Sequence, residues 1–218
     1  MEHAGGLPFL IQECASSIGA SLNNRQAQMF VDYLKHLQAW NRSINLTRIT
    51  SDEEIVIKHF VDSFAALMAL EIGPGSRILD IGSGAGFPGI PLKIVRPDLT
   101  MTLVEPAHKK TSFLRFLVGL LRLDRTEIFE GTLEQFVSNQ LGIGSYDYIT
   151  TRALTPQLIM QMGASILRQG GAAIFYSSQS LDKFVSANSW KLVHDHSFEL
   201  PRGFGKRHIS ICSPLSYG

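Results

Sequence analysis

Cysteine is nearly absent from this chain. Cys14 and Cys212 stand near its two ends, which excludes a disulfide framework and a cysteine-based zinc spacing and suits a reducing compartment. Charge is sparse too. Charged residues are 18% of the 218, and the formal net charge is +1. A chain so balanced is no polycation, so any contact with nucleic acid has to come from a local patch. No apolar run reaches membrane-spanning length, and the N-terminus has no basic stretch ahead of an apolar one. Neither an anchor nor a signal peptide is therefore expected, and a cytoplasmic location is. Internal repeats and low-complexity segments are missing. No metal site is expected either: His194 and His196 flank Asp195 on what reads as an edge strand, where a solvated alternation is the simpler reading.

What is present is an ordinary globular share of apolar residues, 44%, enough for one domain with an extension. Residues 1–75 read as a helical extension. Leu7–Ile18 has apolar residues near helical spacing. Asn23-Asn24 offers a cap to 25–40, where Met29, Phe30, Tyr33, Leu34, Leu37 and Trp40 share a face. Ser51-Asp52-Glu53-Glu54 reads as a helix start, and His59–Leu70 as a further apolar helix ended by Gly73-Pro74-Gly75. From residue 76 to 218 strands alternate with helices. Strands are expected at 77–81, 100–104, 126–129, 146–150, 172–176, 190–198 and 208–212, with helices at 88–95, 109–121, 133–139, 156–167 and 180–187. Five βα units followed by two strands imply an α/β, Rossmann-like domain. Its seven-stranded sheet would be mostly parallel with an antiparallel edge pair, packed with the extension as one unit.

The densest signal is Asp80-Ile81-Gly82-Ser83-Gly84-Ala85-Gly86-Phe87-Pro88-Gly89. An apolar strand enters it and a helix-compatible run leaves. Gly82, Gly84 and Gly86 at alternate positions let backbone approach a ligand, in conformations other residues avoid. The spacing is not the G-x-G-x-x-G of dinucleotide binders. An acid two residues before the first glycine suits a ligand that carries positive charge, as S-adenosyl-L-methionine does in its amino and sulfonium groups. A tight turn with no ligand is the plain alternative.

On a parallel sheet, ligands bind at the carboxyl ends of the strands. Glu105 ends the second strand at the distance where a ribose-binding acid is expected. Gly131-Thr132-Leu133-Glu134 follows the third and offers a surface for adenine. Arg152 follows the fourth, in Thr150-Thr151-Arg152-Ala153, and a guanidinium there is costly to bury without a partner. It is expected to position cofactor and substrate, a structural pair with a nearby acid such as Asp80 being the alternative. Absences narrow the chemistry. The Asn/Asp-Pro-Pro-aromatic pattern of adenine-amine methylation is missing after strand four. Neither cysteine sits where a pyrimidine-C5 nucleophile would. Guanine N7 fits what remains, because its lone pair is already free and needs positioning rather than a base.

These motifs extend into a family resemblance. Trp40-Asn41 with Asn45-Leu46-Thr47, His59-Phe60-Val61-Asp62-Ser63, the glycine loop through Leu92, Lys109 with Phe113-Leu114, Thr151-Arg152-Ala153 and Arg207-His208 resemble the bacterial 16S ribosomal RNA guanine-N7 methyltransferase G family, formerly called glucose-inhibited division protein B. The resemblance covers nearly the whole chain and includes motifs outside the generic cofactor fold. It implies a class I methyltransferase that modifies a guanine in the 16S rRNA loop near the decoding centre, within the 30S subunit or an assembly intermediate. No obligatory protein partner and no membrane are implied. Cofactor contacts carry over to Gly82, Phe87, Leu133, Glu134 and Arg152, and Glu105 stands where an aspartate is frequent. One departure stands out: Ser177-Ser178 replace a usual lysine-glycine after strand five.

Basic residues cluster in two places. Between 108 and 125, Lys109, Lys110, Arg115, Arg122 and Arg125 face the lone acid Asp124, which reads first as a solvated helix face. The stretch 201–208 holds Arg202, Lys206 and Arg207 with Phe204 between glycines and no acid, a pattern for phosphate contact and base stacking. Lys109, Arg202, Phe204, Lys206 and Arg207 are the RNA-contact candidates.

Overall fold

A computed structural model describes residues 6–152, 154–185 and 189–215. Ala153 of the Thr151–Ala153 motif and the end of the 180–187 segment lie outside them. Seven strands form one sheet: β1 (Arg77–Ile81), β2 (Thr100–Glu105), β3 (Thr126–Glu130), β4 (Tyr146–Thr151), β5 (Leu167–Ser177), β6 (Trp190–Glu199) and β7 (Lys206–Pro214). Their order is β3-β2-β1-β4-β5-β7-β6. The first five are parallel, while β7 runs antiparallel between β5 and β6. The antiparallel edge expected from two successive strands is therefore present. The strand order reverses between β1 and β4, and a crevice at such a switch point is where doubly wound sheets bind ligands.

β5 starts well before the expected Ala172. Leu167, the C-cap of α9 (Pro156–Ile166), is already extended and pairs with Tyr146, ahead of a register shift before Tyr148. The chain passes from helix to strand with no loop, so Gly170-Gly171 falls inside a strand instead of before one.

Both faces of the sheet are covered, which is why β1 is buried throughout after its first residue, Asp80 included. One face meets α8 (Leu133–Ser138) and α9 through Leu79, Ile81, Ile149, Phe175 and Trp190. The other meets α6 (Gly89–Val95), α7 (His108–Leu121) and the N-terminal helices in one core that runs from Leu10 through Phe60 and Ile90 to Ile211. The extension thus shares its core with the sheet.

α1 (Gly6–Ser16) is followed by α2 (Asn24–Asn41), whose start is a capping box: the Asn23 Oδ1 accepts from the Gln26 amide at 2.9 Å and the Gln26 Oε1 from the Asn23 amide at 3.0 Å. Ser51 caps the next helix through the Glu54 amide. Here the sequence reading needs correction. In place of a helix start and a separate helix from His59, one helical run passes from α3 (Asp52–Ile55) through a π-helical turn (Val56–Val61) into α4 (Asp62–Phe64) and α5 (Ala66–Ala69). It stops at the extended Leu70. Ile55, Val56, Ile57, Phe60 and Val61 are all fully buried, and no glycine or proline interrupts them. The packing therefore continues the helix where charge patterning suggested a break. Widened turns of this kind recur at functional sites.

Candidate active site

Asp80, one residue before the end of β1, is fully buried. Its Oδ2 accepts from the Gly89 amide at 3.0 Å, while its Oδ1 is buried with no hydrogen bond among the described residues. Burial pushes its pKa up to about 7, against the opposing effect of the Gly89 amide. Above it the glycine loop crosses to β2: the Gly82 and Ser83 amides both donate to the Val104 carbonyl, at 2.9 and 3.1 Å.

The glycines of this loop serve different ends. Gly84 has φ +59° and open space on its Cβ side. A Cβ there would meet the Gly82 carbonyl oxygen at 3.9 Å and nothing nearer among the described residues. Gly86, at φ +102°, has no such room: a Cβ would sit 2.7 Å from Ile90 and 2.8 Å from the Tyr33 hydroxyl. Gly82, at φ +72°, would press on Leu154. Gly86 is thus a packing glycine.

Glu105, at the end of β2, fastens the loop. Its Oε2 accepts from the Gly84 amide at 2.9 Å and its Oε1 from the Ala107 amide at 3.0 Å. The carboxylate expected to hold a ribose therefore also shapes the glycine turn, and each oxygen keeps a lone pair for a further donor. Beside it, the Gly131 amide donates to the Glu105 carbonyl and Thr132 caps α8. Leu133 is buried in the α8–α9 core, and Glu134 is exposed in the first turn of that helix.

Arg152 leaves β4 toward the N-terminal helices. Its Nη1 donates to the Lys58 carbonyl at 3.1 Å and lies 3.4 Å from the Asp62 Oδ2, and its Nη2 is 3.0 Å from the His59 Nδ1. Its guanidinium carbon stands 5.1 Å from the centre of the Phe87 ring. Phe87 stacks on His59 at 4.5 Å and on Tyr33 at 5.4 Å, and so joins the glycine loop to the π turn. The acid paired with Arg152 is Asp62, not Asp80. Asp62 is buried, which raises its pKa against the pull of Arg152 and Arg207. Arg207 brings its Nε to 3.6 Å from the Asp62 Oδ1. Burial first, and Arg152 second, push the His59 pKa down to about 3, so the ring is neutral. The Tyr176 hydroxyl donates to the Ser63 carbonyl at 2.6 Å. Beside these groups opens a cleft of about 540 Å³, lined by Lys58, Arg152, Tyr176, Ser177, Ser178 and Arg207 among others.

The RNA-contact candidates divide. Arg207 lines this cleft. Phe204 lies under the Lys58 ammonium, 5.0 Å from its ring centre. Lys206 and Lys109 are exposed, the latter in the first turn of α7. Arg202 is engaged on the surface by Glu53 at 2.5 Å and Glu13 at 2.8 Å, and ties its loop to α1 and α3. Sequence reasoning gave no role to Tyr33, His59, Asp62 or Tyr176. For His59 and Asp62 the available signal was their place in the His59–Ser63 motif outside the generic cofactor fold; Tyr33 and Tyr176 carried none.

A family model described as rRNA small subunit methyltransferase G matches residues 26–203. The chain is 35% identical over 202 residues to the Ribosomal RNA small subunit methyltransferase G of Streptococcus pyogenes serotype M12 (strain MGAS2096), which spans 88% of this chain and 85% of that protein. It is 36% identical over 175 residues to the protein of the same name from Caldanaerobacter subterraneus subsp. tengcongensis, over 80% of this chain and 73% of that one. Among solved structures, a SAM dependent methyltransferase from Aquifex aeolicus superposes with a TM-score of 0.55, over 69% of this chain and 89% of the other, at 13% identity. That likeness speaks to the fold, the class I methyltransferase fold.

Proposed function

This chain belongs to the rRNA small subunit methyltransferase G family, and we propose that it methylates N7 of a guanine in the 16S rRNA loop near the decoding centre. The protein is an S-adenosylmethionine-dependent rRNA methyltransferase. The observation that carries the reading is the pair beside the end of β1: a buried carboxylate oxygen on Asp80 without a hydrogen-bond partner among the described residues, and a Gly84 whose Cβ would meet nothing closer than 3.9 Å. Such a pair suits a cationic ligand passing close to backbone.

Bound there, S-adenosylmethionine supplies a methyl group on a positively charged sulfur. Gly82, Gly84 and Asp80 would hold its methionyl side, Glu105 its ribose, and Leu133 with Glu134 its adenine. Phe87 keeps water from the boundary between the glycine loop and the Arg152 side. Arg152 presents a planar, permanently charged fork, which matches a carboxylate or the O6 beside N7 on the guanine edge. Arg207 and Lys58 line the same cleft and supply charge for the RNA backbone. Guanine N7 carries no proton at neutral pH, so no side chain has to remove one. The chain's part is to bind, orient and exclude water. The substrate is the 30S subunit or an assembly intermediate, met in the cytoplasm.

The test is incubation with methyl-labelled S-adenosylmethionine and 30S subunits lacking the modification, followed by mapping of the labelled base. One 7-methylguanine in the 16S rRNA is expected. Label on another base or atom, or in a small metabolite only, contradicts the reading.

A further inference from the structure

We infer that His59 is a positioning residue for Arg152, acting as a neutral hydrogen-bond acceptor whose tautomer is fixed by Thr47. The inference rests on the reading of Arg152 as a contact to cofactor or base, and it concerns what aims that arginine.

A guanidinium has only donors. The His59 Nδ1, 3.0 Å from the Arg152 Nη2, therefore carries no proton. The ring is neutral, so its proton is on Nε2, and the Thr47 Oγ1 at 2.7 Å accepts it. Thr47 is itself fixed. The Asn41 Oδ1 accepts from the amides of Leu46 and Thr47 at 2.8 and 3.0 Å, and the Asn41 Nδ2 donates to the Thr47 carbonyl at 2.9 Å. The Thr47 Oγ1 also accepts from the Ile49 amide at 3.1 Å. Stacking on Phe87, with the planes 15° apart, fixes the ring. A chain of contacts thus runs from Asn41 through Thr47 and His59 to Arg152.

The π turn supplies the other acceptors. The Lys58 carbonyl and Asp62 take the Nη1 of the same guanidinium, so three acceptors from one short stretch hold it. Their charge is what separates positioning from mere structural pairing. A structural partner for an arginine is best served by its own carboxylate. Here one carboxylate, Asp62, is shared between Arg152 and Arg207, and the second side-chain acceptor is an uncharged ring. The fork is held in direction while the cleft keeps net positive charge for an anionic or electron-rich substrate.

Two replacements of one residue separate the halves of this role. The amide oxygen of Asn lies near the place of Nδ1, and the amide nitrogen of Gln near that of Nε2. His59→Gln keeps the bond to Thr47 and loses the acceptor for Arg152; His59→Asn does the reverse. With 30S subunits and labelled S-adenosylmethionine, His59→Gln is expected to lower kcat about 100-fold with the cofactor KM changed less than about threefold. His59→Asn is expected to recover to within about tenfold of the parent. Thr47→Val, which removes the tautomer lock together with the acceptor for the Ile49 amide, should cost about tenfold in kcat with the melting temperature measured alongside, and carries the test if a ring replacement unfolds. Equal kcat for the Asn and Gln variants, losses that follow melting temperature, or a KM effect alone overturn the inference. Arg152→Ala is measured alongside. If it retains kcat, the underlying reading of Arg152 fails. If it abolishes activity while His59→Gln stays at the parent level, only the role of His59 fails.

Discussion

The glycine loop and the Arg152 cluster are held together by opposite means. On the first, backbone amides do the fastening: Gly84 and Ala107 donate to Glu105, Gly89 to Asp80, and Gly82 and Ser83 to Val104. The Gly82, Ser83 and Gly84 contacts join the ends of β1 and β2, and the Gly89 contact joins β1 to the start of α6. On the second, side chains fasten partners far apart in sequence, Arg152 to Lys58 and Asp62, Tyr176 to Ser63, and Arg207 to Asp62. A backbone cradle tolerates few substitutions because shape is its function. A charged side-chain cluster tolerates changes of shape better than changes of charge, since an unpaired buried ion is what it must avoid.

The largest effect is expected within the glycine loop, from the contrast between two of its members. Gly84→Val should weaken S-adenosylmethionine binding by about 100-fold or more by filling the open path, and cost about 1–2 kcal/mol in stability for the left-handed backbone. Gly86→Ala should do the reverse and destabilise by about 3 kcal/mol through overlap with Ile90 and Tyr33. Calorimetric titration and denaturant unfolding of both proteins check the contrast; equal losses of affinity at equal stability would erase it.

Next in size is Arg152→Lys, which keeps the charge beside Asp62 but loses the fork. Methylation of 30S subunits is expected to fall about 100-fold, with a melting temperature within a few degrees of the parent. A lowered melting temperature with activity per folded molecule intact would make the arginine structural.

A smaller effect concerns pH. Asp80 has a pKa raised to about 7 by burial. The ligand-free native state therefore holds a proton that the unfolded chain has released. The stability from that proton is full below the ordinary carboxylate pKa and is lost as pH rises through about 7. Binding of a cationic cofactor runs the other way and should tighten as Asp80 ionises, by about tenfold at most per pH unit. Titrations at pH 6 and 8 on the parent and Asp80→Asn check this, and the pH dependence should vanish in the variant.

The smallest effect is expected at Arg202. Its exposed pairs with Glu13 and Glu53 are worth less than about 1 kcal/mol, so Arg202→Ala should change stability little and 30S affinity less than about twofold. Arg207→Ala, within the cleft, should weaken affinity about tenfold, with a shallower salt dependence. A larger loss at Arg202 than at Arg207 would move the RNA path onto the 201–205 surface.

The same division explains what the sequence disclosed. Asp80, the glycines and Glu105 meet through backbone geometry within one β-turn-α-β stretch, so their spacing makes the loop legible, and the antiparallel edge followed from two successive strands. His59, Asp62 and Tyr176 were silent. Their meaning comes from partners 90 to 113 residues away, Arg152 for His59 and Asp62, and Ser63 for Tyr176, and the π turn Val56–Val61 has no local pattern that marks it. The ion pairs of Arg202 were hidden for a related reason: its own segment holds no acid, and its partners lie on α1 and α3. The early start of β5 was hidden because Gly170-Gly171 reads as a breaker unless the pairing of Leu167 with Tyr146 is known.

The most direct measurement is a single-turnover methylation rate from pH 5.5 to 9, with cofactor and 30S subunits saturating. Because His59 is already neutral there and guanine N7 has no proton to lose, the rate is expected to stay level within about threefold. A rate that climbs tenfold per pH unit to a plateau would mean that a base is required in the chemical step, and would contradict transfer to N7.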